Sequence, residues 1–308
     1  VIPFKHRCAL GSAGLQANDY VSCGFDQADV IICVGYDLVE YHPYLWHPSR
    51  DRCIVHIDHS PAETDGHYPV AVGVVGDIKH SLDRIAGLTT PHQGAHVRPL
   101  RERLVEEMDQ HRDDLEFPVK PQKIIWDLRT ALDLEDIVVC DVGAHKMWMA
   151  RMFRCEHPNT CIISNGFASM GIAVPGAIAA KLVYPQRHVV AVTGDAGFMM
   201  NSQEIETAIR CKLPIVILIW NDSSYGLIEW KQMNQFQRIS NVRFENPDFV
   251  AYAESFGARG YRVERTADLP AILKAALAND TVSIIDCPVD YRENIKLTDQ
   301  LGTLVCPT

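Results

Sequence analysis

Short, β-branched apolar runs recur along this chain, and each ends in a glycine or an aspartate. They are "ADVIICVGYD" (28–37), "DRCIVHIDHSP" (51–61), "VAVGVVGD" (70–77), "DIVVCDVG" (136–143), "HVVAVTGD" (188–195), "PIVILIWND" (214–222) and "VSIIDCPVD" (282–290). Apolar runs of this length between turn residues read as strands buried on both faces. Between them stand segments with helical spacing: 78–88, 123–132, 170–183, 201–211 and 247–257, the last closed by Gly257. Strands that alternate with helices predict a mostly parallel sheet with helices packed on it. The expected class is therefore α/β, with two doubly wound parallel-sheet units.

The stretch 89–121 breaks the alternation. It is rich in charge and proline, with a helical segment inside, and reads as a linker. The expected organisation is a partial α/β domain over 1–88, the linker, and a complete α/β domain over 122–308. The chain opens on Val1 rather than Met, so we expect a piece of a longer polypeptide.

Composition excludes several classes. With 29 basic and 39 acidic residues the net charge is −10, which leaves no basic excess for nucleic acid. No apolar run reaches the roughly 20 residues that span a bilayer, and no signal peptide is visible. The ten cysteines form no Cys-x-x-Cys pair. They are expected as small buried hydrophobes in a reducing, cytoplasmic compartment. His42, His47, His56 and His59 show no third ligand in pattern, and are expected as solvated or core histidines.

The chemistry concentrates where strands end. Ligands of open parallel sheets bind outside the carboxyl ends of the strands, which is where Asp141, Asp195 and Asp222 fall. Asp195 follows Gly194 in "AVTGDAGFMM" (191–200), and Asp222 closes "WND". A strand, a helix and a parallel strand return the chain beside its start. Asn201 and Glu204 are spaced as a capping box for the intervening helix, with Ile205, Ala208 and Ile209 as its apolar stripe. Asp195 and Asp222 should therefore face one another across adjacent strand ends. Two neighbouring carboxylates repel, and burial makes this worse. A divalent cation resolves both problems, and Mg²⁺ favours carboxylates together with phosphate oxygens. Gly194, Ala196 and Gly197 let a diphosphate approach the backbone and a helix N-terminus.

From Gly194 to Asp222 the chain resembles the thiamine-diphosphate motif, which begins Gly-Asp-Gly and ends Asn-Asn. "DVGAHKMW" (141–148), "SNGFASMGIAVPGAIAAKL" (164–182), "WNDSSYGLIEWKQ" (220–232), "AYAESFGARGY" (251–261) and "CPVDYREN" (287–294) resemble the acetolactate synthase branch. "YDLVEYHPYLW" (36–46) and "HIDHSP" (56–61) resemble the central domain of the catabolic, FAD-independent members. The 122–308 unit would then be the thiamine-diphosphate-binding domain. The resemblance implies that two pyruvates are condensed to 2-acetolactate and CO₂.

By position, the resemblance implies that Asp195, Asp222 and the backbone carbonyl of Ser224 hold Mg²⁺. It places Gly194, Ala196 and Gly197 along the diphosphate, and Val142, Gly143, Ala144 and His145 at its far side. Gly166, Ala168, Tyr225, Gly226 and Leu227 complete the cofactor-binding set. Met170 falls where the family places a bulky residue under the thiazolium. There are departures. Asp222 replaces a frequent Asn, as in the catabolic enzymes, and Ala168 replaces a usual glycine. Lys231 stands where FAD-containing relatives carry a tryptophan, although Trp230 is adjacent, and this argues against FAD.

The resemblance further implies a glutamate that activates the cofactor from an N-terminal domain, across the interface of a homodimer or tetramer. No residue of this chain is nominated for that role, so the 308-residue polypeptide alone is expected to be inactive. Two other readings compete. One is a different thiamine-diphosphate-dependent decarboxylase or carboligase. The other is a non-catalytic nucleotide-binding module, for which "GSAGL" (11–15) is too short a glycine motif.

Overall fold

The computed structural model describes residues 2–13, 20–38, 41–90, 97–294 and 297. Gly14 and Leu15 of the short glycine stretch, Val39 and Glu40, and residues 91–96 of the expected linker lie outside the described residues. The chain divides into two compact units, one built mainly from residues 12–105 and the other from 1–11 and 106–296.

The first unit contains α1 (Tyr20–Gln27), β1 (Val30–Val34), β2 (Cys53–Asp58), β3 (Val70–Val75) and α2 (Ile78–Leu88). Its sheet is parallel, in the order β1-β2-β3. Asp77 caps α2 by accepting the His80 N–H at 2.7 Å. One face of the sheet packs Ile31, Ile54, Trp46 and Tyr68 together. On the other face Val30, Ile32 and Val34 are exposed, so among the described residues this sheet is covered on one side. His47 and His56 are buried and hydrogen-bonded. His47 lies 2.9 Å from the His67 carbonyl, and His56 lies 2.8 Å from the Tyr68 hydroxyl. These two are core histidines, as expected.

After α3 (Arg98–Asp109), which lies inside the expected linker, the second unit runs through α4 (Pro121–Ala131), β4 (Ile137–Cys140), α5 (Ala144–Met152), β5 (Cys161–Ile163), α6 (Ala173–Val183), β6 (Val189–Gly194) and α7 (Asp195–Met200). It continues through α8 (Glu204–Arg210), β7 (Val216–Asn221), α9 (Gly226–Phe236), α10 (Phe249–Ser255), β8 (Arg259–Arg262), α11 (Leu269–Leu277) and β9 (Ser283–Pro288). All six strands are parallel, in the order β5-β4-β6-β7-β9-β8. β4 is wholly buried, as are the first five residues of β6, β7 and β9. This explains their unbroken apolar sequence. Val139, Ala177, Val189, Phe198, Ile205, Ile217 and Ile284 belong to one continuous core.

Residues 2–5 pack in this unit. Phe4 donates its N–H to the Cys155 carbonyl at 2.8 Å, and the Arg154 guanidinium lies over the Phe4 ring. Gly257, at φ +82°, closes α10 as expected, with the Ala258 N–H returning to the Ala253 carbonyl. The cysteines divide: Cys140 and Cys287 are buried, whereas Cys53 and Cys211 are exposed.

One local expectation fails. Asn201 caps no helix by its side chain. It ends α7, and its Nδ2 donates to the Gly171 carbonyl at 2.9 Å. α8 begins at Glu204 without a side-chain cap. The tertiary partner wins over the local capping pattern.

Candidate active site

The site forms where β4, β6 and β7 end side by side. β4 and β6 are neighbours in space but not in sequence, so the chain leaving β4 and the chain leaving β6 part there and open a cleft. The cleft has about 530 Å³ of free space, its mouth included. It is lined by Val142, Gly143, Ala144, His145, Met170, Gly194, Asp195, Ala196, Gly197, Asp222, Ser224, Tyr225, Gly226 and Leu227. Fourteen of the sixteen residues nominated from the sequence therefore meet in one cavity. Gly166 and Ala168 do not line it. They lie on the segment before Met170, Gly166 exposed and Ala168 half-buried.

Register places Gly194 opposite Trp220 on the adjacent strand, so Asp195 and Asp222 leave neighbouring strand ends. Asp195 is buried and fully engaged. Its Oδ1 accepts the Ala196 N–H at 2.8 Å, and its Oδ2 accepts the Ser223 N–H and the Asn246 amide, both at 2.7 Å. Burial raises its pKa above the ordinary carboxylate value despite these donors. Burial pushes Asp222 further, to about 8, with the negative charges of Asp195 and Glu229 adding to the shift. Glu229 itself is held low by Arg243, which donates to it at 2.8 Å. Burial and the neighbouring Asp195 charge thus both oppose ionisation of Asp222, a conflict that a cation between the two carboxylates would relieve.

Three further observations fit a hard cation between them. The donor set is all oxygen. Asn246 Oδ1 is buried with no hydrogen-bond partner among the described residues. A Cβ at Gly226 would sit 2.6 Å from Asp222 Oδ2, so only glycine leaves that carboxylate in place. Among the described residues no three or more His, Cys, Asp or Glu side chains converge as a metal cluster. The remaining ligands would be carbonyl, phosphate or water oxygens, as Mg²⁺ prefers. Ser223, which donates to Asp195, sits at φ +54°, a strained value for a residue with a Cβ.

The rest of the cleft is cut for close approach. A Cβ at Gly143 would fall 2.7 Å from the His145 ring, and one at Gly197 would fall 3.1 Å from Asp141 Oδ1. His145 is buried, and that burial lowers its pKa to about 4, so the ring is neutral at physiological pH. Among the described residues its Nε2 is buried without a hydrogen-bond partner, as are Trp220 Nε1 and Tyr291 Oη. The three rings follow one another at centroid spacings of 6.3 Å.

The sequence reading missed Ile228 and Tyr291, which also line the cavity. Tyr291 lies within "CPVDYREN", a stretch whose resemblance assigns it no role. Asp141, at the end of β4, has a structural part. Its carboxylate accepts the backbone N–H groups of Val142, Gly171 and Ala173 at 2.7, 2.8 and 3.0 Å. It thereby fixes two rims of the cleft at once.

Residues 141–287 match the thiamine pyrophosphate enzyme C-terminal TPP binding domain, and residues 1–85 match the central domain of the same enzymes. An acetolactate synthase of Bacillus subtilis (strain 168) is 39% identical over 298 residues, covering 94% of this chain and 51% of that protein. A catabolic acetolactate synthase of Raoultella terrigena is 37% identical, covering 94% of this chain and 53% of that protein. A putative thiamine pyrophosphate-containing protein, YdaP, of Bacillus subtilis (strain 168) is 31% identical over 93% of this chain and 50% of its own length. The chain spans about half the length of the curated relatives it matches.

Proposed function

This chain belongs to the thiamine pyrophosphate enzymes, as their central and C-terminal domains, and from that premise we propose that it is part of an acetolactate synthase. The reaction would join two pyruvates into 2-acetolactate with release of CO₂. The observation that carries the reading is the acidic pair of buried Asp195 and half-buried Asp222 in a glycine-lined cleft. Two relatives named as acetolactate synthases, at 39% and 37% identity, support the choice of reaction.

In this proposal Asp195 and Asp222, with the Ser224 carbonyl, hold Mg²⁺. Gly194, Ala196, Gly197 and the N-terminal turn after Gly143 receive the diphosphate through backbone N–H groups. Thiamine diphosphate, when bound, supplies a carbanion-stabilising centre that no side chain can provide. The protein orients it and keeps water away. Met170, half-buried at the cavity wall, supplies an apolar contact for the ring system, and neutral His145 presents an uncharged face at the far side. FAD has no part in this reading, and Lys231 at the family's tryptophan position supports that. A homo-oligomeric enzyme acting in the cytoplasm completes the proposal.

A second reading is another thiamine-diphosphate-dependent decarboxylase or carboligase, since YdaP aligns over a similar span. The test is pyruvate turnover by the natural gene product with thiamine diphosphate and Mg²⁺ but without FAD, assaying acetolactate and acetaldehyde together. Acetolactate supports the first reading. Acetaldehyde alone favours the second, and a strict need for FAD refutes the FAD-independent assignment.

A further inference from the structure

Asn246 precedes α10, far along the chain from both aspartates, yet its side chain reaches the ends of β6 and β7. Its Nδ2 lies 2.7 Å from Asp195 Oδ2, 3.0 Å from Asn221 Oδ1 and 3.3 Å from Ser223 Oγ. Three oxygens, one of them a carboxylate, settle which end of the amide faces them: only the NH₂ can donate. Asn221 is itself anchored, donating from Nδ2 to Asp286 Oδ1 at 2.8 Å. Asp286 is buried on β9 and is held by Arg262 at 3.0 and 3.1 Å. A hydrogen-bonded chain therefore runs Arg262–Asp286–Asn221–Asn246–Asp195 across the ends of β9, β7 and β6.

The backbone around Asn246 is tied to the same place. The Phe244 N–H donates to the Ser223 carbonyl at 3.1 Å, and the Tyr225 N–H donates to the Val242 carbonyl at 2.9 Å. Segment 242–246 thus straps the turn that carries Asp222. The other end of the amide is unused among the described residues, where Oδ1 is buried without a hydrogen-bond partner. A buried amide oxygen without a hydrogen-bond donor carries a desolvation cost. An ordered water, an ion or local strain can account for such a group.

We propose that Asn246 is a positioning residue for the cation site: its NH₂ fixes the Asp195 carboxylate in the orientation that a cation between Asp195 and Asp222 would need. The inference rests on the reading of Asp195 and Asp222 as cation ligands. It adds an outer layer that the motif from Gly194 to Asp222 does not contain. Outer partners of this kind orient the ligands and typically carry 10- to 100-fold in metal affinity.

The test is a Mn²⁺ titration followed by the EPR signal of the free ion, with and without thiamine diphosphate. Mn²⁺ takes the same oxygen ligands as Mg²⁺. Asn246→Ala and Asn246→Ser are expected to weaken Mn²⁺ binding about 10- to 100-fold. Asn221→Ala keeps Asn246 but removes its second anchor, and is expected to weaken binding about 3- to 10-fold. Asn279→Ala removes a comparable amide that bonds Tyr261 and Ser283 instead, and should leave affinity unchanged. Wild-type affinity in folded N246S overturns the inference. If neither Asn246 variant folds, wild-type affinity in N221A overturns it. If the unaltered protein binds no Mn²⁺ under either condition, the reading of the acidic pair fails instead.

Discussion

Asp141 and Gly171 stand 30 positions apart, and a hydrogen bond of 2.8 Å from the Gly171 N–H to Asp141 Oδ1 joins them. The same carboxylate takes the N–H groups of Val142 and Ala173. One buried side chain therefore sets both the segment carrying His145 and the segment carrying Met170. Asp141→Ala leaves three N–H groups without their acceptor. We expect a loss of about 3–5 kcal/mol in stability, read from urea unfolding. A loss under 1 kcal/mol would show that water replaces the carboxylate without cost.

The acidic pair predicts an unusual pH profile for the cation-free protein. Asp222 holds its proton to about pH 8 in the folded chain, against about 3.9 for an unfolded aspartate. Between those values the native state binds more protons than the unfolded state, so stability falls as pH rises. Melting temperature should therefore decline from about pH 4 to pH 8, and added Mg²⁺ should restore it at the alkaline end. Asp222→Asn should flatten the decline while weakening Mg²⁺ binding. A cation-free profile identical in D222N and wild type would contradict this.

Gly226→Ala separates binding from folding. The new Cβ would lie 2.6 Å from Asp222 Oδ2, so the carboxylate must move. Gly226 is the first residue of α9, where alanine is tolerated and any helix-propensity gain is smaller than the roughly 1 kcal/mol of a helix interior. Expected are a tenfold or greater loss of Mg²⁺ affinity by calorimetry and an unchanged or slightly raised melting temperature. Retained affinity would mean that Asp222 is free to turn away at no cost.

Ala168 sits at φ +48°, in the left-handed region that costs a residue with a Cβ about 1–2 kcal/mol. Ala168→Gly relieves that strain and gives part of it back as unfolded-state freedom. A net gain of about 0.5–1 kcal/mol is expected from the urea midpoint. A lower midpoint would show that the methyl group packs usefully.

Much of the frame is legible in the sequence because burial on both faces demands it. β6 and β7 announce themselves as unbroken β-branched runs, and the helix expected over 78–88 spans Ile78–Leu88. β8, with the sequence Arg-Gly-Tyr-Arg, escapes because an edge strand that is half exposed needs no apolar code. The site divides in the same way. Asp195 and Asp222 are legible because strand ends and crossover topology bring them together. Asn246 and Tyr291 are not, since no periodicity connects a loop asparagine or a late tyrosine to carboxylates many residues earlier. Asn201 shows the limit of local reading: its capping spacing is sound, but Gly171 offers it a better partner.

The order β5-β4-β6-β7-β9-β8 has a consequence for how binding and folding communicate. Cleft residues come from chain positions as distant as Val142 and Tyr291, and no short fragment contains a working subset of them. A ligand in the cleft draws its free energy only from chains in which the central strands have already closed. Binding should thus act on the sheet as a whole, raising the barrier to its opening rather than tightening one loop.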